Sequence, residues 1–466
     1  MKCLLVVCTL VVMAGALPAL LEEAPKDGEF TDDLNLFDAR NLTDDEQLAL
    51  DRELMESKRR LLENPDLYQG DILLTEEQKR ALKERNVIPS SANWWPAAAD
   101  GYVYVNYRFA SPSIAKTMVL QAINTWQANT CVRFRDIQNA DGKPHLIFQN
   151  DNSGCNSFVG RISNTNGQPV NLAPGCLTEV DTPIHEIGHA LGLHHEQSRS
   201  DRDNAIYVVL DNVKPDKNSR DQFAKEATNN FNVPYDYSSV MQYYSTAFSV
   251  NKKETMVAKE PYGQLFLDLS STSFSFMDKR IVNLQYKCIA LNLKKCGVAA
   301  DPCKNYGYFG TSCKCVCPPG TSGTNCETLN QPYLQALVAA KFPRSKTIVA
   351  EGRVTSTGYP SPIAAKDEYI QLIKAPACKK VRLTFTAFKL TQRATDKTCA
   401  YQQLTVRKNN NLVIASSYCA SEIAPGKVIE SEGTTMVLHF KSFTTSPSPG
   451  YSATITFVPQ ASCTGR

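Results

Sequence analysis

Behind Lys2, apolar residues run almost unbroken from Leu4 to Ala14, followed by the small pair Ala14 and Ala16 in an A-x-A arrangement. This pattern predicts a secretory signal peptide over 1–16, cut after Ala16, because the run is too short to span a bilayer. No later segment is apolar for long enough to span one either. Residues 17–85 are rich in Glu, Asp, Lys and Leu. Within them Thr43 to Leu62 has helical apolar spacing, and Asp44-Asp45-Glu46 stand where carboxylates favour a helix N-terminus. The character then changes. Tyr102-Val103-Tyr104-Val105 alternates as a strand does, while Ile114, Met118, Ala122 and Trp126 follow a helical period and predict a helix over Ser113–Asn129. Short strands are expected at 131–136 and 145–149, and a second helix at 180–191. From about 336 onward the pattern is β-rich, as in Val381–Phe385 and Thr435–Phe440.

At 466 residues the chain has room for two to four units. A net charge of +3 gives no long-range field for nucleic acid or an acidic membrane, which argues against those partners. Of 16 cysteines, Cys3 and Cys8 belong to the leader. The remaining even number, in an oxidising compartment, suggests up to seven disulfides. Six of these cysteines crowd into residues 296–326, too short a stretch to surround a large core, so bridges must supply the stability there. A zinc ribbon is a poor alternative, since no paired C-x-x-C knuckles occur. Asn41-Leu42-Thr43 is the one N-glycosylation acceptor pattern, and Asn41 lies in the early segment.

The chemistry concentrates in His185-Glu186-Ile187-Gly188-His189-Ala190-Leu191-Gly192-Leu193-His194-His195-Glu196, which holds four of the chain's six histidines. H-E-x-x-H-x-x-G-x-x-H fixes five letters, a coincidence expected roughly once in a few million positions. Four residues apart on a helix, His185 and His189 project from one face toward one ion. Gly192 permits a sharp left-handed turn, so the chain can reverse and bring in His195. Three imidazoles without a thiolate leave an open position, as a catalytic zinc site requires, and Glu186 stands beside it as general base. A surface helix merely decorated with histidines would explain the leucines but not this spacing. His194 falls out of register and reads as a supporting or surface residue. His145 and His439 lie in strands without evident partners and read as structural.

With Gln197-Ser198-Arg199-Ser200-Asp201-Arg202-Asp203 after it, this stretch resembles the signature of the astacin family. Ser239-Val240-Met241-Gln242-Tyr243 resembles that family's Met-turn, and Trp95-Pro96, Thr130–Phe134, Val159-Gly160 and Gly175-Cys176 also match. Val180-Asp181-Thr182-Pro183 departs from the usual Gly-containing run, although Pro183 suits a helix start. The resemblance implies an α+β zincin-like metalloprotease domain over 86–290, with a mixed sheet, two long helices and a cleft, and one Zn2+ per subunit on His185, His189 and His195. It gives Met241 the role of an apolar floor, and Tyr243 that of a weak ligand that swings away to help stabilise the oxyanion. It implies Cys131–Cys288 and Cys155–Cys176. In residues 17–85, the propeptide, Tyr68-Gln69-Gly70-Asp71 resembles the F-x-G-D switch of astacin precursors. Asp71 would then hold the metal in the zymogen only. An activating protease would cut within Leu82–Arg85, most simply after Arg85, and the amino group of Asn86 would approach Glu196.

Residues 292–327 resemble an EGF-like module, which implies Cys296–Cys313, Cys303–Cys315 and Cys317–Cys326. Residues 336–460 resemble an all-β CUB sandwich, with Cys399–Cys419 as the matching pair and the pairing of Cys378 and Cys463 left open. Asn292-Leu293-Lys294-Lys295 precedes the first module and Gln402 replaces an acidic residue in the second, so no calcium is expected in either. The resulting expectation is a secreted zinc endopeptidase acting on extracellular proteins, with matrix or cuticle proteins as candidate substrates and no membrane span. The competing readings are an adhesion or matrix protein with an inactive protease fold, and a zinc enzyme for a non-peptide substrate. Intact His185, Glu186, His189, His195 and Tyr243 argue against the first, and the Met-turn and pro-segment against the second.

Overall fold

The computed structural model describes residues 60–83 and 94–460, except 111–114, 140–141, 163–165, 270–273, 364–365 and 395–396, together with positions 46, 50, 53, 56 and 57. The signal peptide, Asn41, the bond after Arg85 and Cys463 lie outside the described residues. Within 43–62 the described positions before Glu63 are helical, in line with the apolar spacing there.

A six-stranded sheet carries the first large unit. Ile72–Leu73 form β1, followed by α1 (Glu76–Lys83). The sheet continues with β2 (Val103–Phe109), β3 (Val132–Asp136), β4 (Leu146–Gln149), β5 (Cys155–Phe158) and β6 (Gln168–Leu172), in the order β1-β5-β6-β4-β2-β3. Every pair is parallel except β5 with β6. Strand β2 buries Val103, Val105 and Tyr107 on one side, as its alternation predicts. Parallel β2 and β3 need a crossover, and α2 (Lys116–Asn129) provides it.

The α2 core face is Val119, Ala122, Ile123 and Trp126, the i, i+3, i+4, i+7 stripe. It is turned slightly from the expected face, because Met118 is only partly buried while Val119 and Ile123 pack fully. Helix α3 (Asp181–Ala190) lies against it, and the Trp126 indole donates to the Ile184 carbonyl at 3.2 Å. Beyond α3 come the antiparallel pair β7 (Ile206–Val208) and β8 (Met256–Ala258), then α4 (Phe276–Gln285) and α5 (Cys288–Lys295). Cys131–Cys288 ties the start of β3 to α5, and Cys155–Cys176 ties β5 to the turn before α3.

The small module contains two hairpins, β9 (Tyr308–Phe309) with β10 (Cys315–Val316) and β11 (Thr321–Ser322) with β12 (Thr328–Leu329). Its bridges are Cys296–Cys313, Cys303–Cys315 and Cys317–Cys326. A helix, α6 (Tyr333–Lys341), follows where the reading above began its β-rich region. Leu334, Ala336, Leu337 and Val338 pack there on local helical spacing, and the strands start only afterwards.

The last unit is a two-sheet sandwich of β13 (Lys346–Ile348), β14 (Gly352–Thr355), β15 (Asp367–Lys374), β16 (Lys379–Lys389), β17 (Gln402–Arg407), β18 (Ala415–Tyr418), β19 (Val428–Glu430), β20 (Thr435–Ser442) and β21 (Gly450–Pro459). One sheet runs β13-β15-β20-β17-β18 and the other β14-β21-β16-β19. Tyr369, Leu383, Phe385, Leu438 and Phe440 fill the space between them, and Cys399–Cys419 closes one end. Gln402 is buried, bonding Thr391 N and Ser442 Oγ, each at 3.3 Å. Cys378 is exposed, and is the one free cysteine among the described residues. The five-stranded sheet is apolar on both faces. Met436 and Leu438 point into the sandwich, whereas Ile370, Leu372 and Val437 are buried against the first unit.

Candidate metal centre

Helix α3 ends at Ala190, and Gly192 adopts φ +95°, which turns the chain back toward the helix. The carbonyl of Leu191 at this turn accepts from Gln285 Nε2 (2.7 Å) and Tyr286 Oη (2.9 Å), so α4 secures the end of α3. The reversal brings His195 opposite His185 and His189.

Each imidazole is oriented through its Nδ1. His185 Nδ1 donates to the Val240 carbonyl at 2.7 Å, and His189 Nδ1 to the Leu193 carbonyl at 2.8 Å. His195 Nδ1 faces Gln69 Oε1 at 3.0 Å. With Nδ1 protonated, each Nε2 presents a lone pair. These converge on Asp71, whose Oδ2 lies 3.2 Å from Nε2 of both His185 and His195, and whose Oδ1 lies 3.5 Å from His189 Nε2. His189 Nε2 and His195 Nε2 are themselves 3.2 Å apart. Two lone pairs facing each other at that distance repel unless a cation lies between them. A tetrahedron with bonds of about 2.05 Å, the zinc–nitrogen length, has edges of about 3.3 Å, and these donors stand at that spacing. The residues therefore fit zinc, with His185, His189 and His195 as nitrogen donors and Asp71 as an oxygen donor.

Burial would raise the Asp71 carboxyl, but the three imidazoles around it, His195 foremost, hold it well below the usual carboxylate range. Burial pushes His195 down to about 3, against the pull of Asp71. Glu186 is fully buried, and neither carboxylate oxygen has a hydrogen-bond partner among the described residues. Burial, and then the nearby Asp71 charge, raise it well above the ordinary value, which suits a group that must take up a proton.

Met241 lies beneath the helix, where a Cβ on Gly188 would come within 2.9 Å of its Sδ. Asp278 fixes this turn by accepting from Ser239 Oγ (2.6 Å) and Val240 N (2.9 Å). The Tyr243 ring lies tilted against His195, with centroids 4.5 Å apart, and its hydroxyl donates to the Gln69 carbonyl. Burial and the carboxylates of Asp71, Glu63 and Glu186 raise its pKa far above normal, so the phenol keeps its proton. Glu196 accepts from Arg199 Nη1 at 2.9 Å and from Asp236 N at 2.7 Å. A pocket beside it is lined by Trp94, His194, Arg199 and Asn230. His194 is half-buried there, and burial pushes its pKa down to about 4.

Asp71 arrives next to a strand, with β1 parallel to β5 and Ser157 N donating to the Asp71 carbonyl at 3.0 Å. Three parts of this arrangement had no signal in the sequence reading. Gln69 bridges His195 and Ser198, Glu226 receives the Tyr68 hydroxyl, and Asp278 anchors the Met-turn. An S-x-x-D pattern at Ser275 marks Asp278 as a helix cap but not as that anchor. His145 is held by Lys143 O and Arg108. The reading of His439 as partnerless is corrected: its Nε2 lies 2.7 Å from Glu368 Oε1, a partner on the neighbouring strand β15.

Residues 89–287 match the Astacin peptidase family, and residues 345–455 match the CUB domain. Zinc metalloproteinase dpy-31 of Caenorhabditis elegans is 32% identical over 433 residues, which cover 87% of this chain and 69% of that protein. The chain belongs to the astacin family. Protein SpAN of Strongylocentrotus purpuratus is 31% identical over 420 residues, 85% of this chain and 64% of that one. Blastula protease 10 of Paracentrotus lividus is 30% identical over 413 residues, 84% of this chain and 65% of that one. This astacin thus spans just under two thirds of the length of these two relatives. Among solved structures, the hatching enzyme HCE-1 of Oryzias latipes is 30% identical, covering 44% of this chain and 100% of that one with a TM-score of 0.39. No helix among the described residues is long and apolar enough to cross a membrane.

Proposed function

We propose that this astacin is a secreted zinc endopeptidase, made as a latent precursor, that hydrolyses peptide bonds of extracellular proteins. The observation that carries the reading is the convergence of His185, His189 and His195 Nε2 with a buried, unpartnered Glu186 beside them. Zinc, when bound, supplies Lewis acidity and a water acidic enough to deprotonate near neutral pH. Glu186 then accepts that proton and delivers it to the leaving amine. The Tyr243 phenol, protonated throughout, donates to the oxyanion once freed from the Gln69 carbonyl. Glu186→Gln should keep its zinc yet lose at least about a thousandfold in kcat on a peptide substrate. Wild-type turnover by that variant, or activity that survives a chelator, would sink the mechanism.

Latency rests on Asp71, which occupies the fourth direction around the histidines, and on Gln69, whose carbonyl holds Tyr243. An Asp71→Ala precursor should cleave peptide before activation, and a precursor as silent as wild type would count against the switch. Activation is expected within Leu82–Arg85, freeing Asn86 to reach the pocket beside Glu196. N-terminal sequencing of the secreted protein tests that bond. Matrix or cuticle proteins are the candidate substrates, to be identified by the new termini the enzyme creates in an extracellular extract.

A further inference from the structure

We infer that the sandwich domain braces the Tyr243 loop, through two cations at its interface, Lys441 and Arg407, that clamp the segments holding the chain just after Tyr243. The kinetic arm of this inference rests on the peptidase reading above; the structural arm does not.

The outer face of the five-stranded sheet is an interface. Ile370, Leu372 and Val437 share one buried cluster with Met256, Ala258, Leu265 and Leu267 of the catalytic unit. Two charged contacts lie in this apolar patch. Lys441 Nζ lies 2.7 Å from Asp268 Oδ2 and 3.5 Å from Glu368 Oε1. Arg407 Nη2 lies 2.5 Å from Glu254 Oε1, with its side chain only 4% exposed. Asp268, Glu368 and His439 resemble a cation site, but the ammonium of Lys441 already supplies the cation.

Both clamps end at the same place. Beside Asp268, the Leu267 carbonyl accepts from Ser245 N at 2.7 Å. Beside Glu254, Thr255 N donates to the Ser245 carbonyl at 2.7 Å and Thr255 Oγ1 to the Ala247 carbonyl at 2.7 Å. Ser245 is thus gripped from two sides, two residues from Tyr243. Phe248 ends the segment with its ring 6.0 Å from that of Tyr243. An apolar patch could dock the two units in several registers, whereas paired charges tolerate few, since a misplaced carboxylate would be buried alone. Lys441 and Arg407 are positioning residues, acting on the oxyanion donor through the backbone of 245–247.

The test uses the full chain, activated in the same way as wild type, and a peptide of about six residues, too short to reach the sandwich. Lys441→Met should lower kcat about tenfold and leave KM within about twofold, as expected when a transition-state donor is displaced by a fraction of an ångström. Zinc content should not change, and amide hydrogen exchange at 245–248 should quicken. Arg407→Met should act in the same direction. Lys380→Met, which breaks a surface pair with Glu430 on the other sheet, should change nothing. Should Lys441→Met not fold, Asp268→Leu with Lys441→Met removes both charges and still lacks the ion pair that holds the 267–268 segment, so the same losses are expected. Folded variants with wild-type kcat and wild-type exchange at 245–248 would overturn the brace. A wild-type protein that cleaves nothing would overturn the peptidase reading instead, and the exchange arm would still decide the brace.

Discussion

Under the proposed latency, Gly70 shows how much of the switch depends on one missing Cβ. It adopts φ +78°, and a Cβ there would lie 2.5 Å from the Leu62 carbonyl and 3.1 Å from Tyr243 Oη. Left-handed backbone costs a residue with a side chain about 1–2 kcal/mol, and the clash adds to this. Gly70→Ala should therefore raise basal cleavage by the precursor about tenfold or more, which a fluorogenic peptide assay would register; an unchanged baseline would remove Gly70 from the switch. At the same scale, the convergence of the three histidines was legible because its geometry is local: four residues of helix, then a glycine turn. The main-chain carbonyls of Val240 and Leu193 that orient them were not, since a carbonyl has no letter of its own.

Among the elements, α4 supports the site more than its position in the chain suggests. Ser275 and Asp278 form a reciprocal cap, with Asp278 N donating to Ser275 Oγ and Ser275 N to Asp278 Oδ2, both at 2.9 Å. The same carboxylate holds the Met-turn. Ser275→Ala should cost about 1 kcal/mol, a fall of about 2–4 °C in the calorimetric midpoint, with the zinc site intact. Asp278→Ala should cost more and also depress kcat, because it releases Ser239 and Val240 together. Equal effects of the two changes on stability and kcat would mean that Asp278 is only a cap. Periodicity anticipated α2 and α3, where 3.6-residue spacing is strong, but ran α6 into the sandwich because its nine residues border strands of similar apolarity.

The whole molecule adds a pH dependence. Burial alone would raise Asp268, but Lys441 and His439 hold its carboxyl below the usual range; Asp268, Glu368 and Glu254 raise the Lys441 ammonium above its own. A depressed carboxylate stabilises the fold above its unfolded pKa of about 3.9 and loses that as pH falls through the folded value. A raised lysine stabilises below about 10.4 and loses that as pH rises through the folded value. The clamp is therefore at full strength between about pH 4 and pH 10. Lys441→Met should lower the thermal midpoint across that window, and its gap from wild type should narrow as pH falls below about 4, where Asp268 in the unfolded chain takes up a proton before the folded one does. A gap that stays constant down to about pH 2, below the ordinary carboxylate range, would show that Lys441 contributes packing rather than charge.

The three converging histidines, Glu186 beside them, the turn around Met241 and the strand-rich character of the last unit could all be read from letters and spacing, since each is written within a short stretch of neighbouring residues. Contacts made across long stretches of chain could not. Glu226 reaches Tyr68, Asp268 reaches Lys441, and Glu254 reaches Arg407 over 158, 173 and 153 positions. The run Met436-Val437-Leu438 announced a buried strand but not that its two faces serve different cores. Hydrophobic pattern reports how much surface must leave water, whereas its partner, and which buried charge meets which, is decided only when distant segments pack.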